Sequence, residues 1–302
     1  MSIIAVVGPT ASGKSDLAER IAAEVGAEIL SVDSMQVFRG MDIGTAKPEE
    51  PTRRRFAYHL VDVADPSEDY TVAQFQKAGV AVLDRAEESG DTIVVAGGSG
   101  LHFRSLVDPL EFPPTDDELR AELEAMPIEE LRNELLDADP EAGGVVDLAN
   151  PRRVLRAVEI KRLTGATPST RAATDDADAV RSYRPARGFV AIGLDPGEML
   201  NERIESRFDR MLEIGLVDEV AALAPRMGRT ARQAVGYREL LPVVENGRPL
   251  PPARVDAITA TSSLAKRQRT FFRRDPRIRW IPWHHDPEEL VATALEYVEG
   301  SE

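Results

Sequence analysis

The residues with the clearest capacity for chemistry stand together near the start of the chain, as Gly8-Pro9-Thr10-Ala11-Ser12-Gly13-Lys14-Ser15. Their spacing is G-x-x-x-x-G-K-S/T, the pattern of a phosphate-binding loop. Glycines let successive backbone N–H groups converge on an anion, and a following helix turns its positive end toward the same point. Lys14 adds a charge that a phosphate oxygen can meet, and the Ser15 hydroxyl can hold Mg²⁺. A di- or triphosphate is therefore the expected ligand. A second candidate is Asp33, which closes Ser31-Val32-Asp33-Ser34-Met35-Gln36. A third is Gly97-Gly98-Ser99-Gly100, another glycine-rich turn.

The elements that must position these groups are legible as patterns. Ile3-Ile4-Ala5-Val6-Val7 is a continuous apolar run before the loop and reads as a buried strand. Leu17, Ile21, Ala22 and Val25 recur at helical spacing after it, and Gly26 is a natural stop. Further strands are expected over 27–32, 58–63, 92–96 and 188–194. In open α/β sheets the working residues lie beyond the carboxyl ends of the strands, where Asp33 and Ser99 fall. Phe38 to Pro48 has no sustained period and reads as a loop, whereas Thr71 opens a helix that ends near Gly90.

Pro113-Pro114 breaks the alternation. From Asp116 to about Tyr183 the chain is helical and charged, with a polar stretch over 167–178 expected as a loop. The fold class expected is α/β, a phosphate-loop parallel sheet flanked by helices, with an inserted all-helical domain. The core would span 1–114 and 188–302 and the insertion 115–187. Long helices follow the last core strand, and Trp280-Ile281-Pro282-Trp283 is a candidate edge strand.

The chain has 302 residues, no Cys and a formal net charge of −15. The absence of Cys excludes disulfides, thiolate metal sites and a Cys nucleophile. No apolar run reaches the roughly 18 residues of a membrane span, and the N-terminus lacks the pattern of a signal peptide. A cytoplasmic enzyme without membrane contact is expected, and a monomer, since no long apolar heptad is present. The net charge opposes general nucleic-acid binding, but the charges are segregated. Residues 152–162 carry Arg152, Arg153, Arg156, Lys161 and Arg162 against Glu159. Residues 266–279 carry Lys266, Arg267, Arg269, Arg273, Arg274, Arg277 and Arg279 against Asp275. Such runs can contact phosphate on an acidic protein because screening in salt is short-ranged.

Taken in order, several blocks resemble the tRNA dimethylallyltransferases, or isopentenylpyrophosphate transferases. They are the phosphate loop, Ser31 to Phe38, Arg39 to Pro48 as R-G-M-D-I-G-T-A-K-P, His59 to Asp62 and Gly97 to Leu101. Asn150 to Arg153, Val235 to Leu240 and Leu264 to Gln268 continue the series, so the resemblance covers nearly the whole chain.

The resemblance implies transfer of a dimethylallyl group from dimethylallyl diphosphate to the exocyclic amine of an adenine. That base lies 3′ of the anticodon in tRNAs reading codons that begin with U. The loop would cradle the leaving diphosphate rather than ATP, with Lys14 and Mg²⁺ at Ser15 neutralising it. Asp33 would receive the amine proton or orient the amine, Ser99 would donate to the departing oxygen, and Arg207 would face the same diphosphate. The base would be flipped from the anticodon loop into a tunnel. Arg120, Arg152, Arg153 and Arg156 on the insertion, with Lys266 and Arg267 on the core, would clamp the tRNA. Ser34 and Met35 lie in the same tRNA-contacting block as Asp33, and Gln36, Gln233 and Gln268 match positions that read or support bases. Three departures from the family pattern are Ser99 for Thr, and Phe38 and His102 for Tyr. The competing readings are a free adenine-nucleotide isopentenyltransferase, a small-molecule phosphate-loop kinase and a non-enzymatic nucleotide-gated RNA-binding protein.

Overall fold

The computed structural model describes residues 3–300. Six parallel strands, β1 (Ile3–Val7), β2 (Glu28–Val32), β3 (Tyr58–His59), β4 (Ile93–Gly97), β5 (Val190–Leu194) and β6 (Ile278–Ile281), form one sheet in the order β3-β2-β4-β1-β5-β6. The helices of the core are α1 (Lys14–Val25), α2 (Glu50–Arg55), α3 (Val72–Ser89) and α4 (Gly100–Val107). The insertion holds α5 (Asp117–Ala125), α6 (Ile128–Ala138), α7 (Pro151–Thr164), α8 (Pro168–Ala172) and α9 (Asp175–Arg181). The core resumes with α10 (Leu200–Glu213), α11 (Leu216–Leu223), α12 (Tyr237–Asn246), α13 (Leu250–Arg273) and α14 (Pro287–Glu299).

The apolar run of β1 reflects its central place, with both faces covered. Ile3, Ala5 and Val7 face a core shared with α3, α4 and α10–α13, while Ile4 and Val6 face Leu17 and Ile21 of α1 and Leu290 and Val291 of α14. β1 lies between β4 and β5, so the phosphate loop leaves the sheet where the chain order reverses, the usual crevice for a ligand.

Two expected elements come out differently. The strand expected over 58–63 stops after His59, because Leu60 and Asp62 adopt φ of 60° and 58° and the Asp62 carboxylate is drawn to Lys47 and Arg53. The polar stretch 167–178 is not a loop: α8 and α9 occupy most of it, each opened by a threonine whose side chain accepts a backbone N–H, Thr167 from Thr170 and Thr174 from Ala177.

The chain divides into two compact units, Met1–Val107 with Arg187–Glu302, and Asp108–Ala186. The second has its own core of Leu123, Leu131, Leu135, Val154 and Val158. The first boundary lies earlier than 114/115 because Arg156 donates to the carbonyls of Pro113 and Pro114 at 2.6 and 2.9 Å and holds them to α7.

Candidate active site

The phosphate loop is built as its spacing requires. Gly13 sits at the N-cap of α1 with φ 95°, and Ala11 takes φ 62°. A Cβ on Gly8 would lie 2.3 Å from the Leu194 carbonyl oxygen, so only glycine lets the loop pass the end of β5. Residues far along the chain hold the loop by its backbone. Gln268 Oε1 accepts the Thr10 N–H at 2.8 Å, Arg203 Nε donates to Ala11 O at 2.7 Å, and Trp283 Nε1 donates to Ser12 O at 3.1 Å. The Arg203 guanidinium also lies over the Trp283 ring, 5.2 Å from its centroid.

Two cavities meet at this loop. The inner one, about 90 Å³, is lined by Thr10, Lys14, Asp33, Met35, Arg207 and Gln268 together with apolar Ile204, Phe208, Met211 and Leu264. The outer one, about 660 Å³, is lined by Gly13, Lys14, Ser15, Arg203, Arg207, Arg210, Trp283 and His285, with the carboxylates of Asp16 and Glu202 also on its wall. Lys14 and Arg207 line both. The inner cavity thus offers one carboxylate, two cations and a hydrocarbon wall, and the outer one a cluster of four cations against Asp16 and Glu202.

The cations of that cluster oppose one another. Burial, followed by the neighbouring charge of Arg207, brings Lys14 down from 10.5 to about 8, with Asp33 opposing. Burial also lowers Arg207, Asp33 opposes the shift and Arg203 adds to it. Charges crowded at the mouth of a helix N-terminus are satisfied by an anion.

Asp33 follows β2, and its Oδ1 accepts the N–H groups of Met35 and Gln36 at 2.8 and 3.4 Å. This turn holds the carboxylate at the cavity wall. Ser34 is half-buried in the same turn. Ser99 is brought beside it, since its N–H donates to Val32 O at 3.2 Å. The Ser99 hydroxyl lies 2.7 Å from Nδ1 of His102. Phe38 is fully buried in the core, where a phenyl ring without a hydroxyl is well suited.

The loop 38–48 is fastened by groups that composition alone does not reveal. Glu219 accepts the N–H groups of Asp42, Ile43 and Gly44 at 3.0, 2.8 and 3.1 Å and the Tyr237 hydroxyl at 2.5 Å. Buried Lys47 donates to Phe38 O, Asp42 and Asp62 at 2.6, 2.8 and 2.6 Å. Gly44 and Thr45 of this loop line the inner cavity.

Four residues expected to contact nucleic acid are engaged within the protein itself. Gln36 is a scaffold residue: its Oε1 accepts from Ser31 Oγ at 2.7 Å and its Nε2 donates to the carbonyls of Thr45 and Ala46 at 3.1 and 3.3 Å. Gln268 spends its oxygen on Thr10, and its Nε2 packs where a Cβ on Gly98 would be 2.5 Å away. Arg120 and Arg156 each donate at 2.6 Å to Glu159, which is wholly buried. Burial pushes that carboxyl up, but the two guanidiniums outweigh it and hold Glu159 below its usual range. Arg120 and Arg156 therefore neutralise a buried acid inside the insertion.

Arg152 and Arg153 are exposed at the start of α7, with Arg153 4.0 Å from exposed Asp147. Lys266 and Arg267 are exposed on α13, where they line an open groove with Ser263, Thr270, Phe271 and Arg274. Gln233 is exposed in the turn before α12. Sequence reasoning missed Arg203, Trp283 and His285 at the outer cavity; lone Arg, Trp and His residues carry no local signal for such a role.

A parallel sheet with an anion-binding loop at its switch point, joined to a carboxylate-bearing apolar cavity, defines a phosphate-loop α/β group-transfer fold. The model of the IPP transferase family matches residues 36–275, and the chain belongs to that family. The tRNA dimethylallyltransferase of Streptomyces griseus is 41% identical over 306 aligned residues, covering 98% of this chain and 96% of that protein. The tRNA isopentenylpyrophosphate transferase structure from Bacillus halodurans is 32% identical, with a TM-score of 0.72, covering 99% of this chain and 96% of its own. A eukaryotic dimethylallyltransferase captured acting on tRNA shares the fold, with a TM-score of 0.80 at 22% identity and coverage of 99% and 80%.

Proposed function

We propose that this chain transfers a dimethylallyl group from dimethylallyl diphosphate to the exocyclic amine of the adenine 3′-adjacent to the anticodon, in tRNAs that read codons beginning with U. The observation that carries the reading is the pair Lys14 and Arg207, which lines both cavities. A diphosphate held on these cations would share the inner cavity with Ile204, Phe208, Met211, Leu264 and Asp33, which supports a hydrocarbon seated on the apolar wall and a reacting carbon turned to Asp33. The amine nitrogen forms a bond to that carbon as the carbon–oxygen bond breaks. The electron pair leaves with the diphosphate, which Lys14, Arg207 and the loop N–H groups stabilise. Asp33 orients the amine and receives its proton. Ser99 donates to the departing oxygen.

The loop also fits Mg²⁺ carried by the substrate. Ser15 is exposed at its end, and among the described residues no group of three carboxylates or imidazoles could hold a metal alone. Mg²⁺ retains water and prefers substrate phosphates to an all-protein cage. Ser15 and the diphosphate oxygens would hold it, and it would supply charge neutralisation of the leaving group. EDTA is expected to abolish turnover, and excess Mg²⁺ to restore it; full activity in chelator would remove the metal from the reaction.

The tRNA would meet Arg152 and Arg153 on the insertion and Lys266 and Arg267 on the core, with Ser34, Met35 and exposed Gln233 nearer the base. Arg153→Ala should weaken tRNA binding and flatten its dependence on log salt by about one unit. An unchanged slope in a titration from low to moderate salt would mean that Arg153 touches no phosphate. Among the described residues no helix is long and apolar enough to cross a membrane. We assign the enzyme to the cytoplasm as a monomer, which sedimentation would check.

The deciding experiment is mass spectrometry of the modified base after incubation of unmodified tRNA with dimethylallyl diphosphate, with AMP and ATP as parallel acceptors. Prenylated adenine in tRNA alone is the expected product. Prenylated AMP would identify a free-nucleotide enzyme, and a phosphorylated product from ATP a kinase.

A further inference from the structure

We infer that His102 is a positioning residue for the transfer step: its Nδ1–H donates to Ser99 Oγ and so leaves the Ser99 hydrogen for the oxygen of the departing diphosphate. The inference rests on the proposed transfer reaction and adds a residue to it.

A serine hydroxyl has one hydrogen, and its direction decides what it can stabilise. In this chain the Ser99 hydroxyl has a fixed neighbour, since Oγ and Nδ1 are 2.7 Å apart. Two arrangements satisfy that distance. If Nδ1 is bare, the Ser99 hydrogen points at the ring and cannot reach the diphosphate. If Nδ1 carries the proton, the ring donates, and the Ser99 hydrogen turns away from it.

The surroundings hold both partners in place. Ser99 and His102 lie one turn apart at the start of α4, and the Phe103 N–H donates to Ser99 O at 2.9 Å. The Ser105 hydroxyl donates to His102 O at 2.7 Å. The imidazole stands edge-on to buried Phe75, with ring centroids 4.6 Å apart and planes at 83°. Burial lowers the ring below its ordinary value, and the charge of Asp33 opposes this, so the ring is held neutral near physiological pH. A neutral ring adds no positive charge beside Asp33. It also makes the choice of tautomer the switch that aims Ser99.

Two substitutions separate this role from packing. Asparagine places an amide N–H near the position of Nδ1 but loses the ring. Phenylalanine keeps the ring against Phe75 but loses the donor. The expected result is that His102→Phe lowers kcat about tenfold, the worth of one aimed hydrogen bond, with KM for tRNA unchanged. His102→Asn should retain most of the wild-type kcat, and His102→Phe should cost nothing further in a Ser99→Ala background. A Phe variant as active as wild type, or an Asn variant no better than Phe, would overturn the role. Nitrogen-15 NMR of the imidazole in the unaltered protein gives a second reading that needs no variant: a protonated Nδ1 is expected, and a bare Nδ1 would reject the assignment. Loss of prenyl transfer by the wild-type enzyme itself would reject the reaction, an outcome distinct from either.

Discussion

Replacing Asp33 with asparagine is expected to lower turnover at least about 100-fold while leaving tRNA affinity nearly unchanged, the lower range for removal of a general base. The choice of asparagine matters. Asp33 Oδ1 already accepts the Met35 and Gln36 N–H groups, and an asparagine carbonyl can keep that turn. What it cannot do is carry the negative charge or accept the proton released by the attacking amine. Alanine loses both. Equal losses for Asp33→Asn and Asp33→Ala would assign the effect to the carboxylate, whereas an active asparagine variant would show that the turn alone matters. The diphosphate should bind at least as well to either variant, because the removed charge repels it. Single-turnover rates with tRNA in excess, beside filter binding of tRNA alone, measure the two effects separately.

How much of this arrangement the sequence discloses depends on whether the signal is local. The phosphate loop, β1 and α1 are contiguous, and their chemistry is written in one stretch. Asp33 is legible because strand ends carry function in this architecture. The helices α8 and α9 were also available in principle: Thr167 before Pro168, and Thr174 before a run of acids, are N-terminal signals that polar composition obscured. Partners are another matter. Arg120, Arg156, Arg152 and Arg153 look alike as residue types, yet the first two are tied to buried Glu159 and the last two are exposed. The basic run of α13 divides in the same way, with Arg269 and Arg273 drawn to the covered carboxylate of Asp195 while Lys266 and Arg267 remain exposed. Gln36 and Gln268 are suited by type to read a base, and only the fold reveals that both ends of the Gln36 amide, and the oxygen of Gln268, are engaged by the loops they hold. Arg203 and Trp283 reach Ala11 and Ser12 across most of the chain, and both act on backbone carbonyls, which no side-chain pattern can record.

Lys14→Met is expected to cost turnover about 100- to 1,000-fold, as loss of one aimed donor at a developing anion does, and yet to stabilise the empty protein. The second effect follows from sign. Lys14 is at about 8 in the folded enzyme against an ordinary 10.5, so its charge is unfavourable in the empty site. Below about pH 8 the folded state bears that cost in full. As pH rises toward 10.5 the unfolded chain also loses the proton and the cost disappears. Each kcal/mol relieved by methionine should raise the melting temperature at pH 7 by about 1.5 °C in a protein of this size, and the gap should close by about pH 10. Diphosphate binding runs the opposite way, because the anion needs the protonated amine. Its affinity should be flat below about pH 8 and fall above it, at most about tenfold per pH unit. Arg207→Gln should move that break to higher pH, since the Arg207 charge is one of the causes that lower Lys14. Melting curves that do not separate at pH 7, or a break that stays in place without Arg207, would show that the two cations do not share one anion. The stabilisation given up by the empty site is what the diphosphate restores on binding, so affinity and apo stability at this loop are set by the same pair of charges.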